Sequence, residues 1–294
     1  MRTGHLQDLQ KKVGGLRTRG VEVQGGLGHP LVSIITIVFN DESSIRQTID
    51  SVLRQSYDAI EYIIIDGGSH DNTVAIISEY EASLAYWQSE PDQGISDAFN
   101  KGIRAARGEI IGLINAGDWY EPETVQLVVK TFLAEQEIGV ICGTLQFWKG
   151  LTQEYRCPSV PALLEREMTV THPTCFVRAG LYHHYGLFAT DYKLAMDYEL
   201  LLRFKRQGSR FLSLEAVLAN MQHDGVSEEN WKKALQETHK ARRELLEPSF
   251  WTSKSYYWFL MVKRQVRIWL QRWQWHRLIC LYRQRLALVK KTKS

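Results

Sequence analysis

Between residues 31 and 118, apolar runs of strand length alternate with segments whose apolar residues recur at helical spacing. Leu31-Val-Ser-Ile-Ile-Thr-Ile-Val-Phe39 is β-branched, with Pro30 before it and Asn40-Asp41 after it, and it predicts a buried strand. Residues 43–56 carry Ile45, Ile49, Val52 and Leu53 on one helical face. A second strand, Glu61 to Asp66, ends in Gly67-Gly68-Ser69, and Asp71-Asn72-Thr73 can cap a helix running to about Glu81. Residues 85–89 read as a third strand, a helix follows over about 95–106, and 109–115 read as a fourth strand that stops at Ala116-Gly117-Asp118. This alternation predicts an α/β fold with a doubly wound, mostly parallel sheet whose ligand crevice lies at the carboxyl ends of the strands. Asp66 and Asp118 each stand where such a strand gives way to a Gly-containing loop, so both should face that crevice. The second half is less regular: a strand over 139–147, an element within 171–178 and a helix over about 196–207 are legible.

Composition adds two constraints. With 294 residues and 44% hydrophobic content the chain can bury a sizeable core. Its net charge of +3 is unevenly spread: residues 248–294 hold eleven Lys or Arg and no Asp or Glu, whereas the preceding residues hold 25 against 33. A mildly acidic body with a basic tail suggests that the tail meets an anionic surface. Cys142, Cys157, Cys175 and Cys280 are widely spaced, with no Cys-x-x-Cys pair, and residues 1–30 carry no apolar run of signal-peptide length. These features are read as reduced thiols in a cytoplasmic protein, with residues 1–30 a flexible leader and no bilayer-spanning segment.

The order Ser33-Ile-Ile-Thr-Ile-Val-Phe-Asn40, then Ile65-Asp-Gly-Gly-Ser-His-Asp-Asn-Thr73, then Asp118, then Asp197-Tyr-Glu-Leu-Leu-Leu-Arg203 resembles the family-2 inverting glycosyltransferases of the GT-A fold, as found in bacterial polysaccharide biosynthesis. The resemblance extends from about Pro30 to Asn230, and Glu90-Pro-Asp-Gln-Gly-Ile-Ser-Asp-Ala-Phe-Asn-Lys-Gly102 is similar to the family's segment leading to the metal-binding strand. It implies a GT-A, Rossmann-like domain over 31–247, and the basic, Trp-rich residues 248–294 are read as a C-terminal helical extension. It further implies transfer of a sugar, a UDP-sugar by default, from a nucleotide diphosphate to an acceptor hydroxyl with inversion.

By the same resemblance, Phe39, Asn40 and Glu42 lie by the nucleobase, Asp66 contacts base or ribose, and Asp97 and Asn100 line the donor sugar and phosphate. Asp118 matches the last acid of the Asp-x-Asp metal motif and would bind Mn²⁺ or Mg²⁺, while Asp197 matches the base that deprotonates the acceptor. Three positions depart from the pattern: Gly67 stands where the family often has a second Asp, Asn115-Ala-Gly-Asp118 keeps one acid of the metal motif, and Met196 replaces a Glu. His223 is therefore a candidate extra metal ligand, and His172, before Pro173, a candidate for the acceptor pocket.

Each acid also has a plainer reading. Asp before Gly commonly just ends a strand in a turn, and Asp197 could serve a helix N-terminus; the Ser-x-Asp-x-Thr run after Asp66 favours the ligand role there. In the tail, Trp258, Val262, Val266, Trp269, Leu270 and Trp273 recur at helical spacing, while Lys263, Arg264, Arg267 and Gln271 lie elsewhere. That composition suits a helix in a membrane interface, with no nucleic acid expected, and a helix packed on the body is the alternative. The predicted enzyme thus rests on the inner face of a membrane and takes a saccharide or lipid-linked saccharide acceptor. A sugar nucleotidyltransferase would need a basic, Gly-rich loop where Asn40-Asp-Glu-Ser-Ser44 stands, and a non-catalytic nucleotide-sugar-binding module recruited to a membrane would bind donors without turnover.

Overall fold

A computed structural model of the chain describes residues 11–222, 230–246, 255–262, 264–266 and 292–293. The chain divides into two compact units, Met1–Leu133 and Ala134–Ser294.

The first unit contains β1 (Lys12–Gly14), β2 (Val32–Val38), α1 (Ile45–Leu53), β3 (Ile60–Asp66), α2 (Thr73–Glu79), β4 (Tyr86–Ser89), α3 (Ile95–Ala105), β5 (Ile110–Asn115), β6 (Trp119–Tyr120) and α4 (Thr124–Ala134). Its sheet runs β1-β4-β3-β2-β5, with the last four strands parallel and β1 antiparallel on β4. Every residue of β2 is buried, as a central parallel strand covered on both faces requires. The α3 helix crosses β2 and β3 so closely that a Cβ at Gly102 would stand 2.3 Å from Ile35 Cγ2. On the other face of the sheet Thr36 and Tyr62 share a buried hydrogen bond of 2.9 Å.

Residues 11–30 correct the expectation of a flexible leader. Lys12–Gly14 pairs with Trp87–Ser89, and the amides of Leu16 and Arg17 donate to the carbonyls of Leu84 and Ala85. The physical reason is a buried acid: Glu61 is 2% exposed and takes the Arg17 guanidinium as its ion-pair partner, with further hydrogen bonds from Ser33 Oγ and the Arg107 amide. An unpaired charge there would be costly, so a segment without hydrophobic periodicity is nonetheless tied down.

The second unit contains β7 (Ile138–Lys149), β8 (Thr152–Pro158), β9 (Phe176–Arg178), α5 (Ala179–Tyr185), α6 (Met196–Arg206), β10 (Arg210–Gln222) and α7 (Trp231–Leu246). Here β7 is the organising strand: it pairs parallel with β10 and antiparallel with β8 and β9. The α6 helix packs against α7. Residues 255–262 and 264–266 are helical as well. That helix buries Leu260 and sets Tyr256 against the Arg242 guanidinium at 4.5 Å. It leaves Trp258 (57%), Phe259 (52%), Val262 (58%) and Val266 (41%) exposed. Trp269, Leu270, Trp273, Lys263, Arg267, Gln271 and Cys280 lie outside the described residues, as does His223. Among the described residues Cys142, Cys157 and Cys175 form no disulfide, and no helix is long and apolar enough to cross a membrane.

Candidate active site

The register of the first unit brings four strand ends to one edge. Val38 pairs with Asp66, Asp66 with Ser89, and Ile37 with Asn115, so β2, β3, β4 and β5 end together. Phe39 follows the end of β2, Asp66 closes β3, and Asp118 follows β5 by three residues. The two acids therefore lie at the carboxyl edge of the same parallel strands, as the alternation of elements predicted.

Asp66 is fully buried and its carboxylate is consumed by its own loop. Oδ2 accepts the Gly68 amide (3.0 Å), the Ser69 amide (2.9 Å) and the Ser89 hydroxyl (2.6 Å), and Oδ1 accepts the Ser69 hydroxyl. Gly68 turns the chain with φ of 85°, in the left-handed region. The β2 loop is laced to this one: the Asn40 amide donates to Ser69 Oγ, Asn40 Oδ1 accepts the His70 amide at 2.8 Å, and Glu42 Oε2 accepts the Asn72 amide and side chain at 2.8 Å. Asn40 itself adopts φ of 48°. Of the residues expected beside the base, Asn40, Glu42 and Asp66 thus direct their carboxyl or amide groups into the loops, whereas Phe39 is 58% exposed.

Asp97 lies in the first turn of α3, where Oδ2 accepts the Gln93 amide at 3.1 Å and stands 3.6 Å from Lys101 Nζ. Asn100, one turn on, is buried. Both start from Gly94, whose φ of 108° opens the helix.

Asp118 differs from these acids. It is 5% exposed, and its Oδ2 is buried with no hydrogen-bond partner. Burial pushes its carboxyl up to about 8, against a smaller opposing effect of the Asn115 side chain. The loop that presents it is held by Thr48, whose Oγ1 donates to the Asp118 carbonyl at 2.7 Å and accepts the Gly117 amide at 3.0 Å. A buried carboxyl oxygen without a hydrogen-bond partner is costly in its charged form, so near neutral pH the group is held mostly protonated.

In the second unit Asp197 occupies the first turn of α6, partly accessible, with Oδ1 accepting the Tyr198 amide at 2.8 Å. Crowding by surrounding protein raises its pKa above the usual carboxylate range, and the His172 imidazole works in the opposite sense. His172 opens a 3₁₀ turn, His172–Thr174, and desolvation lowers its own pKa against the pull of Asp197. The two groups are therefore electrostatic neighbours.

Sequence reasoning missed what positions them. Glu237 of α7 accepts the backbone amides of Lys193, Leu194 and Ala195 (2.7–3.1 Å), fixing the segment that enters α6. Arg203 holds the other side, gripping Glu199 through Nε and Nη2 (2.8 and 3.0 Å) and the carbonyl of Leu187 at 2.7 Å. No local signal marks Glu237, because its partners are amides 42–44 residues away.

Known proteins resemble this chain in sequence and in fold. The profile described as Glycosyl transferase family 2 matches residues 33–187. An uncharacterized glycosyltransferase of Mycobacterium tuberculosis is 36% identical over 180 residues, 59% of this chain and 68% of its own length. The chondroitin synthase of Pasteurella multocida is 26% identical over 197 residues, 65% of this chain but 20% of that enzyme. In fold the chain is similar to S. aureus TarS 1-349 in complex with UDP-GlcNAc (TM-score 0.59, 18% identity, 73% of this chain and 65% of that one). It is also similar to the mannosyltransferase PcManGT from Pyrobaculum calidifontis in complex with GDP-Man and Mn²⁺ (TM-score 0.58, 18% identity, 75% and 65%). The α/β fold is accordingly that of the GT-A glycosyltransferases, and by the profile match over more than half of its length the chain belongs to glycosyl transferase family 2.

Proposed function

We propose that the protein transfers a sugar from a nucleotide diphosphate sugar, a UDP-sugar in the first instance, to an acceptor hydroxyl with inversion, in polysaccharide or glycolipid biosynthesis. The observation that carries this reading is the buried, unpartnered carboxylate of Asp118 at the carboxyl edge of the β2–β3–β5 strands.

Asp118 fits a hard divalent cation, Mn²⁺ or Mg²⁺, through its free Oδ2. Among the described residues no group of three His, Cys, Asp or Glu could hold a metal alone. Such cations commonly take one or two carboxylates and complete their shell with water and substrate phosphates, so a single Asp suffices when the donor diphosphate is present. When bound, the cation would offset charge developing on the diphosphate leaving group. Phe39 and the loop organised by Asp66 hold the nucleotide, and Asp97 and Asn100 line the sugar and phosphate. Asp197 takes the acceptor proton as its oxygen attacks the anomeric carbon from the face opposite the phosphate, and His172 lines the acceptor pocket. Inversion follows from that single displacement.

The acceptor is a saccharide or lipid-linked saccharide at the inner face of a membrane. Support comes from the exposed row Trp258, Phe259, Val262 and Val266 on a helix whose surrounding sequence, 248–294, carries eleven cations and no acid. Aromatic and aliphatic side chains beside Lys and Arg suit an anionic lipid interface.

Donor hydrolysis and transfer, measured for a panel of UDP-, GDP- and dTDP-sugars with and without Mn²⁺, test the reaction. Donor binding without turnover, with Asp197 intact, would instead make the protein a binding module. Cosedimentation with phosphatidylglycerol vesicles, lost in Trp258→Ser/Val262→Ser and absent with phosphatidylcholine, tests the membrane contact.

A further inference from the structure

The two helices that meet beside Asp197 are anchored in different ways. Of its 11 residues α6 buries seven, whereas of the 16 residues of α7 Ala241 alone is fully buried. A helix with so little buried apolar surface opens easily, so α7 depends on what its polar side chains grip and on what covers it.

One face of α7 does the gripping. Glu237, Lys240 and Glu244 stand at helical spacing and all take hold of residues 191–195. Glu237 accepts the amides of Lys193, Leu194 and Ala195, Lys240 pairs with Asp191, and Glu244 Oε2 accepts the Tyr192 hydroxyl at 2.6 Å. That stretch ends at Ala195, the N-cap of α6 and two residues before Asp197. Another face of α7 is covered by the helix over 255–262. His239 lies against Tyr257 with ring centroids 4.9 Å apart, and Arg242 lies against Tyr256. Arg242 Nη1 and the Tyr256 hydroxyl both donate to the Arg166 carbonyl, at 2.5 and 3.1 Å. Trp258, Phe259 and Val262 of the same covering helix remain exposed.

We propose that α7 couples the lipid-facing helix to the general base: an anionic lipid surface bound to the exposed row holds α7 in place, and α7 holds the stretch that positions Asp197. Glu237 and Arg242 are then positioning residues. This rests on the membrane and transfer readings above. The sign of the effect follows from which side chains each partner uses. Lipid takes up Trp258, Phe259 and Val262 without parting Tyr256 from Arg242, and moving that hydroxyl or guanidinium into hydrocarbon would be costly. Lipid therefore binds the docked arrangement better than one in which α7 has frayed, and a ligand shifts an equilibrium by that difference in affinity.

The test begins without a sugar donor. Amide hydrogen exchange of the full chain is read by mass spectrometry over residues 191–197, with phosphatidylglycerol or phosphatidylcholine vesicles, and cosedimentation monitors binding. Phosphatidylglycerol at about 100 times its Kd should slow exchange there by roughly tenfold, the ceiling for complete coupling being about a hundredfold. Phosphatidylcholine should leave it unchanged. Arg242→Leu, and independently Tyr256→Ser/Tyr257→Ser, should still sediment with phosphatidylglycerol but lose the slowing. Glu237→Ala should exchange fast at 193–195 with or without lipid, and Glu237→Gln, which keeps an acceptor oxygen, should recover part of the protection. In UDP-sugar turnover by the wild type the same lipid should raise kcat at unchanged donor KM. Bound lipid that leaves exchange unchanged or speeds it, or that slows exchange without raising the kcat of an active enzyme, overturns the coupling and leaves the membrane contact standing. A wild type that does not sediment ends the membrane reading and the coupling together. A chain that turns over no donor ends the transfer reading, and with it the role of α7 in positioning a base.

Discussion

Asp66 separates two ways an acid at a strand end can serve a donor site, by touching the ligand or by shaping the loop that does. Removing its side chain in Asp66→Ala leaves four donors without their acceptor: the amides of Gly68 and Ser69 and the hydroxyls of Ser69 and Ser89. Ser69 is partly accessible, so its groups can turn to water, whereas Gly68 and Ser89 are buried. A hydrogen bond to a charged group contributes about 1.5–3 kcal/mol. Two orphaned buried donors therefore cost about 3–6 kcal/mol, a large part of the roughly 5–15 kcal/mol that keeps a domain folded. Asp66→Asn can place its amide oxygen where three of the donors meet and let the Ser69 hydroxyl accept from the new amide, for a cost of about 1–2 kcal/mol. Urea unfolding of the full chain, followed by Trp fluorescence and paired with UDP titration, should give losses in that order, with donor affinity falling in step with stability. If Asp66→Ala unfolds within about 0.5 kcal/mol of wild type while nucleotide binding vanishes, the carboxylate contacts the ligand and its loop role is refuted.

Asp118→Asn should abolish Mn²⁺-dependent donor binding yet stabilise the ligand-free protein at pH 7. Its raised carboxyl means that the native state holds a proton which the unfolded chain releases, so stability is full below about pH 4 and falls until about pH 8, by at most about 4 kcal/mol at pH 7. Thermal melts from pH 4 to 9 without metal should show this slope in wild type and lose it in the variant; equal slopes would contradict a neutral buried Asp118. Asp197→Asn should lower kcat by roughly 10²–10⁴ with the melting temperature retained. In wild type, activity should fall as pH drops through a pKa above the usual carboxylate range, and His172→Gln should move that limb higher, because the imidazole holds the Asp197 pKa down. A limb that stays in place would show that the pair is uncoupled. Gly102→Ala should destabilise by about 1–3 kcal/mol despite alanine's better helix propensity, since its Cβ meets Ile35 Cγ2 at 2.3 Å; a more stable variant in urea would show that α3 can retreat from the sheet.

Local chemistry alone determined much of this protein. The β-branched runs that became β2, β3 and β5 and the helical spacings of α1, α3 and α6 follow from side-chain periods, which neighbours in sequence set, and they carried the placement of Asp66 and Asp118 at one sheet edge. The family pattern was legible for the same reason, because its residues cluster at strand ends. Chain contacts across dozens of residues decided the rest. Residues 11–30 show no periodicity, yet Glu61 needs Arg17, and only the folded sheet brings that charge pair together. The strand β10 and helix α7 carry weak patterns of their own, and Glu237 acquires its work only where three distant amides present themselves. Sequence states which groups can donate, accept or carry charge; which of them remain unpaired, as Asp118 Oδ2 does, depends on the neighbours that folding supplies.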